Sequence, residues 1–335
     1  MKYIKTNMLE VGMMIATSIY NNRASMLLAA NSVLTATNIK ALKRLGYKGV
    51  YIYENGTPET FKSILSDSTR LMAIKSLKHL NVDECLYVAN AITNEILSKP
   101  DVVYDMVSIS SYDNSTYVHS INVATLSTMI GVNLGLTNDM LYKVAQAAIL
   151  HDIGKTAINP DIIKKEGRLT DEEFAEIKRH PEYGYYMLRQ NDMISSVVRN
   201  AVYSHHENED GSGYPRGLKG NKIHIVAKII HVADVYDALT SKRSYKDEMP
   251  ADEALAYMTN NIGTLFDKNV VTAMLHCVAP YPVGVDVVLS TGKIATVVKV
   301  NKNNITKPIV KINESGDRLL DLADFEGISI TKTLR

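Results

Sequence analysis

The stretch "IIHVADVYDALTS", residues 229–241, sets the hardest condition on any fold this chain can adopt. Its apolar residues recur at three- and four-residue spacing, the period of a helix, and they leave that helix almost no polar face. Asp234 stands in the middle of it. A carboxylate carried into a core is costly to bury unless it is paired or bound to a cation. The rest of the chain must therefore deliver positive charge or metal to Asp234.

Three compositional zones organise the chain. Residues 1–57 mix short apolar stretches with the helix-like "TATNIKALKRL" and the strand-like "GVYIY", which predicts a small α+β module. From residue 58 to about 280 the period is helical, as in "NDMLYKVAQAAIL". Within that zone "TDEEFAEIKRH" opens on a capping box, Thr170 with Glu173, and is expected to end at Pro181. From 281 to 335 the pattern turns to "VDVVLS", "KIATVVKV" and "KPIVKI", β-branched runs separated by Gly and Asn, which predict a short β-rich, barrel-like tail. The expected fold class is mainly α, a helical bundle between that small module and that tail.

Composition narrows the function. The 37 Lys+Arg against 36 Asp+Glu argue against a broad electrostatic surface for a nucleic acid polymer. No run approaches the ~18 uncharged apolar residues of a membrane span. The opening segment "MKYIKTNMLEVGMMIATSIY" lacks the apolar core and cleavage site of a secretory leader. Cys85 and Cys277 form no motif and suit a reducing cytoplasm, the expected location.

Cations for Asp234 are sought among the histidines. His119 lies in "YVHSINVATL", His151–Asp152 closes the apolar run "AAILHDIGK", and His180 sits at the helix break "RHPEYG". His205 and His206 open "HHENEDGSGYP" as a doublet, and adjacent side chains on a helix diverge, so a doublet fills a core poorly. Imidazole with carboxylate is the ligand set of zinc, iron or manganese, and mixtures of the two suit iron and manganese. A lone histidine reads as an ordinary helix residue, and His79, His224, His231 and His276 are read so. Reading His119, His151, Asp152, His180, His205, His206 and Asp234 that way needs seven separate explanations, whereas one metal pocket accounts for all of them.

The "GKT" at 154–156 is not the end of a P-loop, because the glycine required five residues earlier is Ile149. Lys155 reads instead as a cation beside the metals. Gly211 and Gly213 are expected to let the chain turn sharply after the doublet, with Pro215 stiffening the exit. Glu207 and Asp210 are either partners that orient the imidazoles or solvent-facing loop acids.

In their order and spacing, "HDIGK" (151–155), "HPEYG" (180–184), "HHENEDGSGYPRGL" (205–218) and "ADVYDALTSKRSYK" (233–246) resemble the HD-GYP family of HD phosphohydrolases, over roughly residues 100–280. The tail from "YPVGVDVVLSTG" resembles the β segment that often follows that domain. The resemblance implies an HD-type helical bundle holding two or three metals, usually iron or manganese. It implies hydrolysis of a cyclic dinucleotide, chiefly cyclic di-GMP, to linear pGpG, with further cleavage to GMP left open.

Carried over by position, His119, His151, Asp152, His180, His205, His206 and Asp234 would be metal ligands, with Asp152 bridging. Lys155 would lie at the scissile phosphate, and Arg243 and Lys246 would hold substrate phosphate. Gly213, Tyr214 and Pro215 would form the loop beside the pocket, which is implicated in contacts with other cyclic di-GMP signalling proteins. Hydroxide shared by two metals, its pKa drawn down from about 15.7 towards neutrality, would attack phosphorus.

Members with a third metal carry a glutamate one turn before the first histidine. That position is Ser115, and Asp113 would face elsewhere on a helix, so two metals are expected. Alternatives are another cyclic dinucleotide, such as cyclic GMP-AMP, and a non-catalytic nucleotide-binding or scaffold role. The first module lacks the acidic cluster of a receiver domain and reads as a sensing or dimerising unit, which leaves a homodimer open.

Overall fold

A computed structural model describes residues 2–20, 26–47, 49–53, 64–99, 103, 116–165, 167–241, 249–301, 304–312 and 319–334. The N-terminal module carries strands β1 (Lys2–Lys5), β2 (Met14–Ile15), β3 (Ile19–Tyr20), β4 (Met26–Leu28) and β5 (Gly49–Tyr53), and helix α1 (Ala36–Arg44). β5 is the middle strand of an antiparallel sheet between β1 and β2, while β3 and β4 pair separately. Helix α1 starts where Thr35 and Asn38 satisfy each other's backbone N–H groups, and it buries Ile39 and Leu42 against Ile15, Leu34 and Val50.

The helical body comprises α2 (Asp67–Lys78), α3 (Val82–Leu97), α4 (Thr116–Asn133), α5 (Asn138–Leu150), α6 (Pro160–Ile163), α7 (Asp171–Ile177), α8 (His180–Arg189), α9 (Ser196–Ser204), α10 (Ile225–Thr240), α11 (Ala251–Asn260) and α12 (Lys268–Cys277). Polar residues fix the starts. Asn81, Thr137 and Ser195 each accept from the backbone N–H three residues on, which satisfies donors the helix cannot.

The apolar pattern read from the sequence has its expected consequence. Helix α10 is buried on nearly every side and packs against α4, α5, α9, α11 and α12. Val226, Ile229, Ile230, Val232 and Tyr236 are wholly covered, the four aliphatic side chains each contributing roughly 1.5–3 kcal/mol of burial. Helix α4 crosses it with a run of small residues, and α4 also approaches α5 closely. A side chain at Gly131 would lie 2.8 Å from Leu141. Asp234 is thus carried inside by a helix that has no other option.

After α12, strands β6 (Asp286–Leu289), β7 (Ile294–Lys299), β8 (Ile309–Ile312), β9 (Leu319–Asp321) and β10 (Ile330–Thr333) form one antiparallel sheet in the order β10-β6-β7-β8-β9. The barrel-like reading needs correcting: among the described residues β9 and β10 are opposite edges, with no pairing between them. Thr333 Oγ1 bonds Asp252 at 3.1 Å and ties the sheet to α11. No helix among the described residues is long and apolar enough to cross a membrane.

Candidate metal centre

Five elements meet around Asp234. Helix α4 brings His119 and the end of α5 brings His151 and Asp152. The start of α8 brings His180, and the end of α9 brings His205 with His206. The two rings of the doublet lie 4.1 Å apart, with His206 against His180 at 5.0 Å and His205 against His151 at 5.1 Å. Two donor groups result: His180, His205 and His206 in one, His119, His151 and Asp152 in the other. Within each group the donor atoms lie within 4.8 Å of one another. The structure brings all seven expected residues together.

Local hydrogen bonds aim the rings. His151 Nδ1 lies 2.7 Å from the Ala148 carbonyl, His180 Nδ1 2.7 Å from that of Ile177, and His205 Nδ1 2.7 Å from that of Val202. A carbonyl only accepts, so each Nδ1 carries the proton and each Nε2 presents a lone pair to the centre. His180 Nε2 and His205 Nε2 then face each other at 3.3 Å as two acceptors, which is no hydrogen bond. His151 Nε2 and Asp152 Oδ1 are buried without a partner. Buried lone pairs converging in this way fit a bound cation, and imidazole with carboxylate is the donor set of a divalent transition metal.

The two aspartates span both groups. Asp152 Oδ1 is 3.3 Å from His180 Nε2, while Oδ2 is 3.4 Å from His151 Nε2 and 2.6 Å from Lys155 Nζ. Asp234 Oδ1 is 3.1 Å from His119 Nε2 and 4.0 Å from His151 Nε2, and its Oδ2 is 3.9 Å from His206 Nδ1.

Charge differs across the centre. Burial drives His180 down to about 4 against the partial opposition of Asp152, and it drives His205 and His206 well below the usual imidazole range. Burial works against ionised Asp152, yet the Lys155 ammonium at 2.6 Å holds it well below the carboxylate range. Burial likewise opposes a charged His119, but Asp234 and Asp237 raise it to about 10.

The turn after the doublet departs from the sequence reading. Glu207 neither orients an imidazole nor faces solvent. It is 2% exposed and accepts from the backbone N–H groups of Arg216 and Leu218 at 2.8 and 2.9 Å, folding the loop back on itself. Asp210 is exposed and accepts from Ser212 N at 2.8 Å. Gly211 has the expected positive φ of 86°. Gly213 does not; it is required by proximity, because a Cβ there would stand 2.3 Å from Asn208 N and 2.4 Å from His206 O.

Tyr214 precedes a cis peptide to Pro215 and stacks on His206 at 4.7 Å. Gly154 meets the same kind of demand as Gly213: a Cβ would lie 1.9 Å from the His180 carbonyl, so it lets the turn after α5 press onto α8. Lys155, one-third exposed, reaches over Asp152. Arg243, Lys246, Ser115 and Asp113 lie outside the described residues.

Two groups escaped the sequence reading. Asp237, one turn beyond Asp234, takes His119 Nδ1–H at 2.7 Å and Asn122 Nδ2–H at 2.7 Å, so it fixes the ring that Asp234 faces. Its position three residues after Asp234 in the same apolar helix was the available signal. Buried Lys228 bonds Glu209 at 2.9 Å and Asp267 at 2.8 Å, pinning the loop to α12. His231, read as an ordinary core residue, packs on Phe266 and belongs to neither donor group.

Residues 92–270 match the family model described as "HD domain". Among curated proteins, the chain is 36% identical over 225 residues to the cyclic di-GMP phosphodiesterase PA4108 of Pseudomonas aeruginosa, covering 67% of this chain and 54% of that one. It is 36% identical over 156 residues to 3'3'-cGAMP-specific phosphodiesterase 3 of Vibrio cholerae, covering 47% of this chain and 34% of that one. The chain thus spans about half or less of these relatives' length. Among solved structures, Bd1817, an HDG"Y"P protein from Bdellovibrio bacteriovorus, is similar in fold, with a TM-score of 0.53 at 20% identity over 81% of this chain and 97% of that one.

Proposed function

Because the chain belongs to the HD-domain family, we propose that it is a metal-dependent phosphodiesterase that opens cyclic di-GMP to linear pGpG and on to GMP. The observation that carries this reading is the pair of donor groups sharing Asp152 and Asp234, with buried lone pairs turned inward. His119, His151, His180, His205 and His206 would complete the two sites around those aspartates. Two divalent ions bound there, iron or manganese by the donor set, would supply Lewis acidity to the phosphate and an acidified water as nucleophile.

The chain's own groups have complementary tasks. The Nδ1 bonds to backbone carbonyls keep His151, His180 and His205 in one tautomer and one orientation. Lys155, paired with Asp152 but one-third exposed, can turn its ammonium to the charge that builds on the phosphate oxygens. Arg243 and Lys246 are assigned the substrate phosphates, and Gly213, Tyr214 and Pro215 the wall beside them.

The deciding experiment uses protein purified without oxygen, with cyclic di-GMP turnover followed by chromatography and metal content measured on the same sample. Linear product with two Fe or Mn per chain is expected. A fully metallated protein that binds the nucleotide without cleaving it overturns the reading. The second reading, cleavage of 3′3′-cyclic GMP-AMP, is favoured by the Vibrio cholerae relative's name and is separated by competing the two substrates in one assay.

A further inference from the structure

One set of side chains next to the centre is accounted for neither by the core nor by metal binding. Phe174 and Lys178 stand four residues apart at the end of α7, which places them on one face. Phe174 is 49% exposed, although His180 follows only six residues later. Lys178 Nζ sits 4.6 Å from the centre of the Phe174 ring and 5.6 Å from that of Tyr214. Tyr214 in turn stacks on His206. An imidazole, a phenol, an ammonium and a phenyl ring therefore run outward from the centre to solvent.

The acids that would ordinarily neutralise Lys178 are engaged elsewhere. Glu173 takes Lys165 at 2.6 Å, and Glu176 takes Arg179 at 3.3 Å and Tyr183 at 2.8 Å. Among the described residues Lys178 has no carboxylate partner, and its charge rests on two aromatic faces. Such faces also hold nucleobases, since base–aromatic stacking is strong and tolerant of base identity. An ammonium beside the stacked base is not tolerant. Guanine turns two acceptors, O6 and N7, towards it, whereas adenine turns N7 and an amino donor.

We infer that Phe174, Lys178 and Tyr214 form the wall on which one base of the substrate stacks, and that Lys178 reads that base as guanine. The inference rests on the cyclic-dinucleotide reading above: with a phosphate at the centre, the attached base extends one nucleoside outward, along this ladder. Phe174 supplies affinity without preference, and Lys178 supplies the preference.

The test compares kcat/KM for cyclic di-GMP and cyclic di-AMP in wild type, Lys178→Met, Lys178→Arg and Phe174→Ala, with metal content and melting temperature measured on each. Lys178→Met should lower the value for cyclic di-GMP about tenfold and change that for cyclic di-AMP by less than about twofold. Lys178→Arg, which also pairs with O6 and N7, should retain the preference. Phe174→Ala should lower both values by a similar factor, on the order of tenfold.

An unchanged ratio in Lys178→Met at wild-type metal content overturns the inference while leaving the phosphodiesterase reading intact. So does an equal fall for both nucleotides together with a lower melting temperature, which would make the ladder a structural tie. If the wild type cleaves neither nucleotide, the phosphodiesterase reading fails, and the ratio of dissociation constants for the same nucleotides decides the inference by the same criteria. A wild type that binds neither overturns both.

Discussion

The two halves of the centre contain the same number of donors and differ in charge. His180, His205 and His206 are neutral because burial has stripped them of basicity, His180 down to about 4. His119, His151 and Asp152 are built around an ionised carboxylate, and there His119 is raised to about 10 by Asp234 and Asp237 despite its burial. The first half presents bare lone pairs and can accept a cation without losing a proton. The second already balances its carboxylates with a proton on His119, and a cation must displace that proton. Burial acts on both halves; the placement of two aspartates on one face of α10 gives it opposite outcomes.

The largest expected effect comes from removing what the halves share. Asp152 turns one oxygen to His180 and the other to His151. Asp152→Ala should therefore empty both halves and lower turnover by at least about 10³-fold, the equivalent of several kcal/mol of transition-state stabilisation, while far-UV circular dichroism stays helical. A variant that keeps two ions and wild-type turnover would mean the centre is not shared. His205→Ala and His119→Ala separate the halves. Each should leave close to one ion per chain by elemental analysis, and loss of both ions from either variant would make the centre a single unit.

Much of this centre was legible in the sequence because each donor lies in a short motif with its own local logic. The helix "NDMLYKVAQAAIL" is α5, ending where His151 and Asp152 emerge. The Thr170–Glu173 capping box is present, and it starts the helix that hands over to His180. Asp234 demanded partners from its surroundings alone. What stayed hidden depends on which faces meet. Asp237 acquires meaning only when α4 delivers His119 from 118 positions away. Lys228 looks like a flaw in an apolar helix until Asp267 arrives from 39 positions downstream. Glu207 was misread because its partners are backbone N–H groups, which leave no signature in side-chain type. Strands β9 (LLD) and β10 (ITKT) carry no alternating apolar pattern for the sequence to show.

The comparison can be sharpened on the charged side alone. Asp237 touches His119 and Asn122 and nothing of the neutral half. Asp237→Ala should weaken binding of one ion 10- to 100-fold, the usual cost of losing a carboxylate behind a metal-facing imidazole, and leave the other unchanged. Two-site metal titration reads this directly, and equal weakening of both ions would show that the halves communicate through Asp237.

The smallest effect is also the one that tests the charge assignment most directly, in metal-free protein. Unfolding returns each imidazole to about 6.5. His119, raised when folded, gives stability that is fully present below 6.5 and is lost as pH climbs towards 10, because there the folded state holds the extra proton. His180, depressed when folded, has the opposite sign: between 4 and 6.5 the unfolded state holds the extra proton, so stability rises with pH. The chelated protein should therefore melt highest near pH 6.5 and lose on the order of a few °C on either side. His119→Gln should flatten the alkaline limb and leave the acid limb in place. If the alkaline limb survives that change, the proton is not on His119, and the charged half is balanced by some other group.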